Sequence, residues 1–254
     1  MTTLALGAQD SAAMVARSVR GFSRKVDSML TSVMTPIFIM LLFVYVFGGA
    51  INIGTDYRNY VVPGVIILCA GFGAASTAVA VATDMQTGVI DRFRSLPIMS
   101  SAVLVGHVVT SVLTNLIATV IVLGVAFLTG FRTNATLLDW IGALAVLLLF
   151  IVALSWTATA LGLLLKNPEA ANGVTFIMLF LPYLSSAFVP PDTMPKPLQV
   201  ISEHQPYTPL IETLRSLLLG TPMGNSGWLT LAWFGGILIV SVVASMRLFN
   251  RTTA

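Results

Sequence analysis

Six stretches of this chain are apolar over a length that can cross a bilayer, and none has an acidic or basic side chain at its centre. They are roughly Val33 to Ile51, Tyr60 to Thr83, Leu104 to Thr129, Trp140 to Leu165, Ala170 to Val189 and Trp228 to Met246. About 20 apolar residues span the hydrocarbon core, where every backbone polar group must be satisfied internally; a helix achieves this within one segment. The expected fold is therefore an all-α integral membrane protein with six transmembrane helices. Of 254 residues 56% are hydrophobic and 9% charged, against about 25% charged in soluble domains. Pro36, Pro63 and Pro182 are expected to mark span ends or kinks. The run Ala70-Gly71-Phe72-Gly73-Ala74-Ala75-Ser76 predicts close helix packing in the second span. No stretch remains for a soluble domain, so residues 1–254 are read as one membrane domain.

Between the second and third runs lies a charged island, Asp84-Met85-Gln86-Thr87-Gly88-Val89-Ile90-Asp91-Arg92-Phe93-Arg94-Ser95-Leu96-Pro97. Charges at that density belong in water. Thr83 or Asp84 can cap a short helix there, Gly88 is its weak point, and Pro97 resists its continuation. If helical, the island sets Asp84, Gly88, Asp91 and Ser95 along one side and turns Arg92 and Phe93 elsewhere. That face suits docking to another protein; composition alone also allows an ordinary solvated loop.

Basic residues set the topology. With six spans both termini share a side, and that side collects nine of the 13 basic residues: Arg17, Arg20, Arg24, Lys25, Arg92, Arg94, Lys166, Arg247 and Arg251. The other side holds four, Arg58, Arg132, Lys196 and Arg215. Both termini and the charged island are thereby placed in the cytoplasm of a multi-pass cell-membrane protein. Residues 1–32 lack the apolar core and cleavage site expected of a signal peptide, and a helix is expected over about 8–32. On a helix, Val15, Val19, Phe22, Val26 and Met29 face one way and Arg17, Arg20, Arg24 and Asp27 the other, which suits a helix lying in the headgroup boundary or one packed on a partner. On the outer side, residues 190–225 hold seven prolines, and Ile211, Leu214, Leu217 and Leu218 recur at helical spacing with Glu212 and Arg215 between them. A re-entrant or interfacial helical cap is expected, serving as a gate or as simple cover for the span ends.

The words Gly-Val-Ile-Asp-Arg-Phe-Arg-Ser-Leu-Pro, continued by Ser101-Ala102-Val103-Leu104-Val105-Gly106-His107, resemble the membrane subunits of ABC-2 type exporters, most closely the daunorubicin-resistance type of drug-export permease. In that family the loop after the second span is a coupling helix that fits a cleft on a separate ATP-hydrolysing subunit. The resemblance thus implies an ATPase-coupling role for Asp84, Gly88, Asp91, Arg92, Phe93, Arg94, Leu96 and Pro97 within a coupling loop at 84–100. It also implies that the N-terminal helix is an elbow helix and that residues 190–225 close the outer end of the pathway. The partners it implies are two copies of an ABC ATPase, which would hold ATP and Mg, and a second copy or close relative of the permease.

The chain offers no chemistry of its own to drive transport. A P-loop ends in Gly-Lys-Ser or Gly-Lys-Thr, whereas Lys25, Lys166 and Lys196 follow Arg, Leu and Pro, and no span carries a plausible catalytic triad. Gradient-driven transporters usually keep ionisable groups at membrane depth, where each costs about 2.5–3.5 kcal/mol; their absence favours a motor outside the membrane. His107 and His204 lie far apart, so no metal site is expected, and Cys69 is the only cysteine. A net charge of +3, dispersed, argues against nucleic acid. Candidate pathway residues are Phe72, Asn115, Ser155, Trp156, Thr157, Phe176, Met178, Phe180 and Tyr183, although aromatic and methionine side chains in spans more commonly serve packing. The expected activity is export of a hydrophobic or amphiphilic drug or antibiotic, with export of a lipid or glycan precursor, or a regulatory membrane subunit tied to an ATPase, as alternatives.

Overall fold

The computed structural model describes residues 26–51, 53–88 and 101–251. Among them all regular structure is helical. Helix α1 spans Val26–Leu41 and continues as a π-helical stretch, Leu42–Phe47. Then follow α2 (Tyr57–Gln86), α3 (Ser101–Leu128), α4 (Leu137–Leu165), α5 (Pro168–Phe180), α6 (Lys196–His204), α7 (Tyr207–Leu219) and α8 (Ser226–Arg251).

Local chemistry sets several boundaries. The Asp56 carboxylate accepts the Arg58 N–H at the start of α2, and Thr136 with Asp139 forms a reciprocal capping box at the start of α4. Asn167 caps α5 with Pro168 in its first turn. Glycine at position 220, with φ +72°, ends α7.

Four helices, α2, α3, α4 and α8, are long and apolar enough to cross a membrane. They bear out four of the six expected spans within a few residues. The other two take different forms. The stretch expected to span 33–51 is apolar helix only over Val33–Phe47, and α1 already runs from Val26 through position 33, so no boundary separates it from the preceding helix there. The elbow reading of residues 8–25 lies outside the described residues. The stretch expected at 170–189 is a helix of 13 residues, about 20 Å at 1.5 Å per residue, followed by a tight turn at Leu181–Leu184. Pro36 and Pro63 lie inside helices that run on through them; Pro182 does mark an end.

Successive long elements reverse direction between two ends of the bundle. At one end α2 finishes, α3 begins, and Val81, Leu104, Leu163 and Phe249 from α2, α3, α4 and α8 form a small apolar cluster. At the other end lie the short helices α6 and α7, in the segment expected to form a cap. Ile211, Leu214 and Leu218 of α7 are buried, as the spacing predicts.

Helix α2 is the axis, packed by α1, α3, α4, α5 and α7. The small-residue run does bring helices close: a methyl group at Gly73 would overlap the Asn115 amide of α3. Outward faces stay apolar, with Phe38, Val120, Leu128, Trp228 and Val240 exposed, as surfaces solvated by lipid tails require.

Candidate functional site

At the end opposite the cap, Asp84 lies in the last turn of α2. The helix runs through Thr83 and Asp84, so neither starts a separate helix; the Thr83 hydroxyl bonds back to the Val79 carbonyl. Gly88 turns the chain at φ +68°, a conformation costly for any residue with a Cβ. Among the described residues, the helix that carries Asp84 thus ends at Gln86 and the chain turns at Gly88. The Asp84 carboxylate sits 3.1 Å from Nε2 of His107, in the second turn of α3. Asp91, Arg92, Phe93, Arg94, Leu96 and Pro97 lie outside the described residues.

The expected pathway residues separate into three groups. Asn115 is 1% exposed, wedged against Gly73, and its amide donates to the Ser111 carbonyl, whose hydroxyl takes a bond from Ser155. This is an inter-helix polar lock. Thr157 shares a hydroxyl bond with Ser241 of α8, and half-buried Trp156 packs on the cluster at the uncapped end. Phe72 is half-buried against the main core.

The third group lies on and beyond α5. Phe176 and Phe180 are 60% and 52% exposed and meet edge to face at 5.2 Å. Phe180 reaches Tyr183 at 6.1 Å, Tyr183 stacks on Phe188 at 5.3 Å, and Phe188 stacks on Phe43 of the π-helical stretch at 4.1 Å. A ladder of rings thus runs from an exposed face to the cap, with spacings favourable for aromatic pairs. Phe43 and Phe188 escaped the sequence reading because they sit in stretches separated by well over a hundred residues. Beside the ladder, a groove lined by Gly71, Ala74, Ala158, Thr175, Met178 and Tyr207 has an internal volume of about 20 Å³, room for about one water. Nothing larger than a water fits there unless the helices part.

The cap is held by Arg215 of α7. Its guanidinium donates to the carbonyls of Tyr60 and Ser186, at 3.2 and 2.8 Å, and lies 3.8 Å over the Tyr60 ring. These bonds help satisfy the irregular backbone after α5. The Tyr57 hydroxyl serves the Phe188 carbonyl in the same way, and the Ser186 N–H donates to Thr208. Burial pushes the Arg215 guanidinium below its ordinary value, opposed by Tyr60 and Glu212. Its Nε and the Ser186 hydroxyl are buried without partners among the described residues. Sequence spacing put Arg215 on an intervening face and missed this role. Outside it, Asp192, Glu203, Glu212, Thr208 and Ser226 line an open hollow of about 320 Å³.

A profile of the ABC-2 type transporter family matches residues 10–219. The chain is 32% identical over 240 residues to the "Daunorubicin resistance ABC transporter permease protein DrrB1" of Streptomyces coeruleorubidus, covering 94% of this chain and 85% of that one. It is 23% identical over 229 residues to the "Probable doxorubicin resistance ABC transporter permease protein DrrC" of Mycobacterium tuberculosis, covering 89% and 83%. It is 27% identical over 150 residues to the "Doxorubicin resistance ABC transporter permease protein DrrB" of the same species, covering 56% and 52%.

Proposed function

The chain belongs to the ABC-2 type transporter family, and from that membership we infer that it is the permease subunit of an ATP-driven exporter of hydrophobic or amphiphilic drugs. As a multi-pass membrane permease it contributes the route, and the energy arrives from a partner. No phosphate-binding loop is present in the sequence, so MgATP is assigned to two copies of an ABC ATPase and to no residue of this chain. A second permease copy or close relative completes the pathway. Six passages follow from the six apolar stretches; given six, the basic-residue count puts both termini in the cytoplasm and the cap outside, and the alternating helix directions support that order.

The observation that carries the cargo class is the ladder Phe176, Phe180, Tyr183, Phe188 and Phe43. Its exposed rings offer flat apolar faces to a planar amphiphile, with no acidic or basic side chain among them. The relatives' names, which refer to daunorubicin and doxorubicin, point to the same chemistry. On this reading ATP binding draws the ATPases together, residues 89–100 carry the displacement into α2 and α3, and the helices beside the ladder part while the Arg215-held cap releases outward.

The test separates energy transfer from cargo recognition in one complex reconstituted with its ATPase. Asp91→Arg should reach the membrane in normal amounts and bind doxorubicin normally, yet lose ATPase co-purification and export. Phe180→Ala should keep the ATPase and weaken doxorubicin binding by about 1–2 kcal/mol, the loss of one aromatic pairing and its buried area. Full export by Asp91→Arg with loss of doxorubicin affinity would turn the assignment around, making the loop a cargo site.

A further inference from the structure

Helices α2 and α3 bracket residues 89–100, and one polar contact ties their ends. Asp84 stands in the last turn of α2 and His107 in the second turn of α3, with Nε2 and Oδ2 3.1 Å apart and side-chain exposures of 29% for Asp84 and 17% for His107. Beside them Val81, Met85, Leu104 and Phe249 pack together, so the pair sits at the edge of an apolar cluster and is partly shielded from water. A contact in that setting is stronger than the same pair on an open surface.

The position of Asp84 is informative. A carboxylate in the last turn faces the negative end of its own helix dipole, so it does not stabilise α2 by that route. Among the described residues its side chain bonds to His107. What the carboxylate does is reach across to the neighbouring helix. One turn further, the chain leaves α2 through the left-handed turn at Gly88, where regular helical support ends.

We propose that His107 is a positioning residue for energy transfer: its bond to Asp84 makes the adjoining ends of α2 and α3 one rigid fork, so that a push on residues 89–100 tilts both helices together. This rests on the reading that those residues meet the ATPase. It assigns Asp84 to the internal transmission of motion, where sequence alone placed it on the docking face. A role limited to neutralising a half-buried carboxylate predicts a different pattern, in which Asp84→Ala is silent because it removes the charge that needs a partner.

The experiment uses the complete permease–ATPase complex in vesicles, with ATP hydrolysis and doxorubicin movement measured on the same sample. The variants are His107→Leu, His107→Gln, Asp84→Ala and the double change His107→Leu with Asp84→Ala. All should retain the ATPase on purification and hydrolyse ATP within about twofold of the parent, while doxorubicin moved per ATP falls at least about fivefold in His107→Leu and Asp84→Ala, the scale of ordinary coupling between sites. The double change should be no worse than either single one, because both remove one contact. His107→Gln, whose amide can still donate to the carboxylate, should recover most of the loss. Silent Asp84→Ala, additive losses, glutamine no better than leucine, or loss of the ATPase itself would each overturn the proposal. Asp91→Arg run alongside separates the two failures. Intact export in that variant overturns the docking reading, whereas unchanged transport per ATP in His107→Leu, with export lost in Asp91→Arg, overturns the fork alone.

Discussion

Replacing Arg215 by Met should loosen the cap without disturbing the spans. Two carbonyls, those of Tyr60 and Ser186, lose their guanidinium donor, and a buried acceptor left unpaired costs about 1–3 kcal/mol. The stack on Tyr60 at 3.8 Å adds about 0.5–2 kcal/mol. Against these, the substitution removes a buried cation with one nitrogen unpaired, and that relief is worth up to several kcal/mol. The net expectation is destabilisation of the docked cap by about 3 kcal/mol, equivalent to a rise of about a hundredfold in its open fraction. Ser186→Cys reports on this directly, because Ser186 is 1% exposed, its hydroxyl lacks a partner among the described residues, and sulfur replaces oxygen with little change in shape. In a Cys69→Ala background, thiol labelling in vesicles should proceed about a hundredfold faster with Arg215→Met than with Arg215. Arg215→Lys should fall between, keeping the charge while losing the planar fork. Labelling within about threefold of the parent in Arg215→Met would refute the account of what holds the cap down.

Gly73→Ala should lower the thermal stability of the purified subunit, because the new methyl meets the Asn115 amide; overpacking of this kind costs about 1–3 kcal/mol. Gly173→Ala, at a site with open space, should be neutral or slightly stabilising, and equal effects at the two sites would discredit the close-approach argument. For topology, in the same Cys69→Ala background, cysteines at Arg92 and Arg251 should resist an impermeant thiol reagent in intact cells while one at Lys196 reacts, and labelling at position 92 from outside would invert the orientation.

The sequence by itself determined that this chain is helical and membrane-embedded, because a bilayer leaves the backbone few other ways to bond and that demand is local. It therefore located α2, α3, α4 and α8 within a few residues, along with small-residue packing at Gly73 and the buried stripe of α7. The motif through Asp91 and Pro97 was legible as words, and the comparisons established the family they pointed to, although the roles of those residues stay with the tests above. What the sequence did not mark was which side of each span faces protein. In water, burial divides apolar from polar and the pattern shows the inner face; in lipid both faces are apolar, and α4, mixed in its burial, is apolar all round. Pairings across long sequence separations were decided by tertiary structure: Asp84 with His107, Arg215 with Tyr60 and Ser186, and Phe43 with Phe188. Each needs two helix ends or loops to arrive at one place, and hydropathy along a single segment carries no record of which partner it will meet.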